Sequence, residues 1–179
     1  DVHGCKTKDS VVIRINPPGQ VDVGFAQEMC INDEVRLGGI PTATGSVFPY
    51  SYHWSPAQTL SNAEIANPIA RPKENTEYTL LVKAGECFVG EYTVNVTVHP
   101  LPIVSLGPDQ LIGSGEQVQL QAKGATTYQW FPEEFFSGSE TSFQAITPNN
   151  TNQYWVIGTD EHGCKNSDTI GVSVKAALF

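Results

Sequence analysis

The side chains able to do chemistry in this chain gather at turns. A His-Gly-Cys-Lys tip occurs twice, as His3 to Lys6 and as His162 to Lys165. Both histidines stand beside glycine, where a turn accounts for them better than a metal does. The four cysteines, Cys5, Cys30, Cys87 and Cys164, do not follow zinc-ligand spacing. Their number and placement favour an oxidising, extracellular setting. Serines, histidines and acids are numerous, yet none falls in a nucleophile-elbow or His-Glu-x-x-His context. The expectation is a protein that is not an enzyme and has no metal centre and no cofactor. Acidic residues near turns (Asp109, Asp160, Glu161 and Asp168) lack the ligand spacing of an EF-hand or a nonapeptide repeat. They read as solvated loops, with Ca²⁺ held between units as the alternative.

What positions these tips is a repeat. After each tip come an acid and a hydroxyl (Asp9-Ser10, Asp168-Thr169), then apolar residues at every second position. Val11, Ile13 and Ile15 match Ile170, Val172 and Val174, the period of a half-buried strand. Residues 1–16 thus read as the last hairpin of a truncated preceding unit, and whole units are expected between the copies. Asn16-Pro17-Pro18-Gly19 and His99-Pro100-Leu101-Pro102 read as short stiff linkers. They bound one unit at about 17–98 and another at about 99–174.

Composition agrees with turn-rich β structure. Among 179 residues there are sixteen glycines and twelve prolines, only 16% are charged, and helix-period apolar runs are absent. The net charge of −9 argues against nucleic acid, whose phosphates require basic grooves. Both units are acidic: nine acids to four bases in 17–98, and eight to two in 99–174. No signal peptide or membrane span is visible, and direct membrane insertion is not expected.

The two units align along their length. Val21, Val23 and Gly24 match Val104, Leu106 and Gly107; Glu34 to Leu37 match Gln117 to Leu120. Tyr52-His53-Trp54-Ser55-Pro56 matches Tyr128-Gln129-Trp130-Phe131-Pro132, and Pro72 and Tyr78 match Pro148 and Tyr154. About seven short strands per unit, with a Trp on the third, predict an all-β chain of tandem immunoglobulin-like β-sandwiches. Trp54 and Trp130 would plug the sandwich centres, and the tyrosines share their inward register.

The YxWxP strand, the P-x5-Y strand start and the Gly-Cys tip before an alternating strand resemble the tandem PKD-like and Ig-like repeats of Bacteroidetes surface proteins. Within that group the chain is similar to gliding-associated adhesins and other cargo of type 9 secretion. The resemblance implies a secreted, cell-surface location and non-catalytic stalk or adhesive modules. It implies as partners the neighbouring domains of one long chain, surface glycans or the secretion machinery. A spacer or carbohydrate-binding accessory of a secreted hydrolase is the second reading. A passenger held through a C-terminal sorting domain is the third, with residues 175–179 suiting the opening of such a domain. The resemblance also implies a Cys30–Cys87 disulfide, although plain immunoglobulin strand order sets those two positions at opposite ends of a unit. Cys5 and Cys164 are left without partners. Asp9-Ser10-Val11 and Asp168-Thr169-Ile170 resemble the O-glycosylation motif of the same group, which makes Ser10 and Thr169 candidate glycan sites.

One difference between the units stands apart from the fold. If Trp130 and Tyr154 point inward, Phe131 and Trp155 point outward. The first unit has Ser55 and Thr79 there. Phe131 and Trp155, with Phe135, are therefore expected to form an exposed binding patch.

Overall fold

The computed structural model describes residues 8–12, 19–136 and 140–175. The first tip, with His3 and Cys5, and residues 176–179 lie outside the described residues. The chain divides into two compact units. Residues 1–26, 34–71 and 77–96 form the first; residues 27–33, 72–76 and 97–179 form the second. No described helix is long and apolar enough to cross a membrane.

Among the described residues up to His99 there are eight strands: β1 (Gln20–Val21), β2 (Gln27–Cys30), β3 (Val35–Arg36), β4 (Ala43–Thr44), β5 (Tyr50–Ser55), β6 (Ile69–Ala70), β7 (Thr76–Ala84) and β8 (Cys87–His99). They form the pairs β1-β4 and β3-β6 and the sheet β2-β8-β7-β5, of which β2 and the His99 end of β8 group with the second unit. Alternation decides what β5 and β7 bury. Trp54, Tyr78, Leu80 and Val82 are fully buried, while their neighbours His53, Ser55 and Glu77 are exposed. A large apolar side chain buried this way stabilises by about 1.5–3 kcal/mol. The buried Thr42 and the half-buried Asn67 are both satisfied. The Thr42 hydroxyl lies within hydrogen-bonding distance of the carbonyls of Gly39 and Ala66, and the Asn67 amide donates to those of Leu37 and Gly39.

In the second unit follow β9 (Gln110–Gly113), β10 (Val118–Gln121), β11 (Thr127–Phe131), a 3₁₀ turn (Glu133–Phe135), β12 (Phe143–Ile146), β13 (Asn152–Thr159) and β14 (Lys165–Lys175). One sheet is β10-β12; the other is β11-β13-β14-β9, with β9 parallel to β14. Val118, Leu120 and Ile146 from the first sheet meet Tyr128, Trp130, Tyr154, Val156, Ile170 and Val172 from the second in one core. Two sheets closed over such a core, in this strand order, are an immunoglobulin-like β-sandwich. The YxWxP segments share finer geometry. Each Trp donates its indole N–H to the carbonyl eleven residues on, Trp54 to Ile65 at 3.1 Å and Trp130 to Thr141 at 2.8 Å. The Ser55-Pro56 and Phe131-Pro132 bonds are both cis.

Alternation alone did not reveal β2, β4 and β9, because two to four residues are too few to show a period. β9 runs parallel along β14, so its end, Gly113, stands opposite Lys175, far from the hairpin tip that carries Cys164.

Candidate functional site

Two features of the second unit bring functional side chains together. The first is an aromatic row on the outer face of β11-β13-β14. Phe131 is the register partner of Trp155, and Trp155 is the partner of Thr169. The rings of Phe131 and Trp155 stack with centroids 5.5 Å apart and planes 7° from parallel. Trp155 is 38% exposed, flanked on β13 by the fully buried Tyr154 and Val156. In the first unit the same register position pairs Ser55 with Thr79. An aromatic pair is therefore an addition to the fold and not a requirement of it. Phe135 is also exposed, at 42%, but its ring meets Tyr154 edge-on at 5.5 Å. Tyr154 points to the face opposite Trp155, so Phe135 sits at the rim of the core while Phe131 and Trp155 make the outward pair. A cleft of about 500 Å³ in the same unit is lined by Gln129, Trp130, Glu133, Glu140, Ile157 and Lys165, among others, and by neither Phe131 nor Trp155.

The second feature is the tip that joins β13 to β14. Asp160 builds it: its carboxylate accepts from the backbone N–H groups of His162 and Cys164, each at 2.9 Å. Gly163 takes φ = +82°, a left-handed conformation that glycine adopts without a Cβ penalty. This turn presents His162 and aims Cys164 inward, where it is fully buried. Cys164 is bonded to Cys30, with Cα atoms 5.5 Å apart. That corrects the Cys30–Cys87 pairing: Cys87 is a free, exposed thiol. The reason is strand geometry. β2 ends beside the downstream end of β8, where the Ile31 N–H donates to the His99 carbonyl at 2.8 Å. Cys87 begins β8, which is 13 residues long, so roughly 40 Å of extended strand separates it from His99. A disulfide spans less than about 7 Å between Cα atoms.

Around the bridge stand Glu28 and His99, which the sequence did not single out as site residues, with His162 and Glu161, which it read as turn and loop residues. The His99 Nε2 lies 2.9 Å from the Glu28 carboxylate, and the His99 and His162 rings stack at 3.7 Å, 11° from parallel. Glu161 approaches His162 at 3.6 Å. A signal for this cluster does exist in the spacing. Glu28 precedes Cys30 by two residues and His162 precedes Cys164 by two, but it becomes legible only once the two cysteines are known to meet.

The acidic residues read as loop carboxylates have structural duties. Asp109 accepts from the Gly171 N–H and Asp168 from the Leu106 N–H, each at 2.8 Å. Of the candidate glycan sites, Thr169 is exposed opposite Trp155, and Ser10 is exposed with its N–H bonded to Asp9. Among titrating groups, Tyr52, Tyr78 and Tyr154 are pushed above the ordinary phenol range by burial, reinforced at Tyr52 by Tyr50. At Tyr78 a hydrogen bond with Thr59 opposes the shift.

No family model matches this sequence, and no curated protein does. Solved structures similar to it include the insect immune protein hemolin, at 15% identity and a TM-score of 0.44, covering 94% of this chain and 49% of that one. They also include a two-domain fragment, IG1+IG2, of DIP-gamma, at 12% identity and a TM-score of 0.40, covering 88% of this chain and 98% of that one. A third is a Drosophila OTK fragment containing extracellular domains 3–5, at 15% and 0.40, covering 84% and 59%. The immunoglobulin-like assignment rests on the strand order and the shared core of the sandwich, and not on these scores.

Proposed function

We propose that this chain is a non-catalytic stalk or adhesive segment of a long, secreted cell-surface protein. In this reading it comprises two immunoglobulin-like, PKD-like repeats at about residues 17–98 and 99–174. The motifs that resemble Bacteroidetes type 9 secretion cargo support that setting. The observation that carries a contact role is the outward Phe131–Trp155 pair, at positions where the first unit has Ser55 and Thr79. An outward aromatic pair that the fold does not demand, with Trp155 exposed and Phe131 half-buried, marks an interface. Its partner in this reading is a neighbouring domain of the same long chain.

Trp155 is the half-exposed indole beside the two buried ones, Trp54 and Trp130, so its fluorescence reports on the surface. The chain would be compared with a version extended by the domain that follows it in its reading frame. Protection of Trp155 from acrylamide quenching, lost in Trp155→Ala, is the expected result. Equal quenching in the two proteins overturns the neighbour-domain partner. Protection by soluble oligosaccharides alone moves the contact to glycans and likewise overturns it.

A further inference from the structure

The cluster beside the disulfide carries a function that the adhesive reading does not include. We propose that Glu28, His99 and His162 form a site for a divalent transition-metal cation, zinc being the best match. Each offers one ligand atom, and the three atoms already lie within 4.8 Å of one another. Ligands of a tetrahedral zinc at its usual bond lengths stand roughly 3.4 Å apart. Drawing the atoms to that spacing is a displacement on the order of 1 Å, made together with a rotation of the His162 ring and without a rebuilt backbone.

The donor set selects the metal. Two imidazoles and one carboxylate suit zinc and its neighbours, whereas calcium takes oxygen ligands. The electrostatics point the same way. Glu28 faces His99 at 2.9 Å and Glu161 faces His162 at 3.6 Å, so two carboxylates surround two stacked rings. A single dication meets both carboxylates, and an imidazole ligates it through a free ring-nitrogen lone pair.

The backbone supports the site independently of any ion. The Cys30–Cys164 bridge pins the two segments that carry Glu28 and His162, each two residues before its cysteine. His99 is held through its own carbonyl by the Ile31 N–H. Its side chain is only 16% exposed, while those of His162 and Glu28 are 42% and 70% exposed. One ligand is thus fixed and two are free to swing. In the stack the two rings lie face to face, and their lone pairs do not converge. Metal binding requires His162 to rotate out of the stack, which makes loss of the stack a signature of the site. Three protein ligands leave a fourth position for water or for Glu161.

The test is titration of zinc, and separately cobalt(II), into the whole chain carrying His3→Ala, Cys5→Ser and Cys87→Ser, which removes donors outside the cluster. Binding of one equivalent is expected, with cobalt giving visible absorption. The imidazole resonances of His99 and His162 should shift while those of His53 stay in place. His162→Ala and Glu28→Gln should each weaken zinc at least roughly tenfold, the loss seen when even a supporting partner of a metal ligand is removed. Both side chains are exposed, so neither change threatens the fold. Calcium should leave the spectrum unchanged. No saturable zinc binding, binding indifferent to His162→Ala, or shifts at His53 instead would each overturn the site. None of these results bears on the Phe131–Trp155 pair, so the two readings stand or fall separately.

Discussion

Phe131 and Trp155 face each other across β11 and β13 with their rings stacked, one residue along from the buried Trp130 and Tyr154. Neighbouring aromatic positions on adjacent strands thus have opposite destinations. Trp130→Ala should destabilise the second unit by about 3–5 kcal/mol, since it empties a core site and removes the bond to the Thr141 carbonyl. Trp155→Ala should cost only about 0.5–1.5 kcal/mol, the worth of an aromatic pair. Urea denaturation of the two variants checks this. Equal losses would mean that Trp155 is a core residue in solution.

The Cys30–Cys164 bridge closes a loop with a sequence separation of 134 residues. In the chain-entropy model that constrains the unfolded state by about 5 kcal/mol, and native disulfides in practice contribute about 2–5. Cys30→Ser/Cys164→Ser should lower the stability of the second unit within that range, while Cys87→Ser should leave it unchanged. Peptide mapping without reduction should recover the 30–164 pair and an alkylatable Cys87.

Tyr78 and Tyr154 hold matching positions, yet their hydroxyls fare differently. That of Tyr78 lies 2.5 Å from the Thr59 hydroxyl, while the buried hydroxyl of Tyr154 has no partner in hydrogen-bonding geometry. Tyr78→Phe should therefore cost about 0.5–1.5 kcal/mol, and Tyr154→Phe should be neutral or stabilising. Chemical denaturation of each variant reads this directly.

The same tyrosines set an alkaline limit. Burial raises the pKa of Tyr52, Tyr78 and Tyr154 above that of an ordinary phenol side chain, which is about 10. A raised folded-state pKa means that the unfolded chain gives up these protons first. Their contribution to stability is therefore fully present below about pH 10 and is lost as pH rises above it. Thermal melts from about pH 8 to about pH 12 should show a fall beginning near about pH 10, smaller in Tyr78→Phe. A flat profile would show that the phenols ionise without penalty.

Thr169 is exposed beside Trp155, and its motif neighbour Asp168 is tied to the Leu106 N–H. If the O-glycosylation resemblance holds, mass spectrometry of protein from the native host should find a glycan on Thr169 and on Ser10. An unmodified native peptide covering Asp168 to Ile170 would remove that expectation.

Much of this molecule is a local matter and was legible in the order of its residues. Alternation is a property of neighbours. From it come the inward Trp54, Trp130, Tyr78 and Tyr154, the outward Trp155, and the longer strands of the immunoglobulin-like set, because a period of two leaves each side chain one face. The repeated YxWxP segments made the doubling visible in the same way. The bridge and the cluster beside it are matters of path. Which cysteine meets Cys30 depends on β2 lying at the downstream end of β8, and no periodicity in four residues reveals that. Glu28, His99 and His162 are separated by 71 and 63 positions and share no motif. Only the folded chain, with the Asp160 turn placing His162 and the disulfide fixing Glu28 nearby, makes them neighbours. Local sequence decides which face a side chain takes; what it faces is decided by where the tertiary fold carries distant segments.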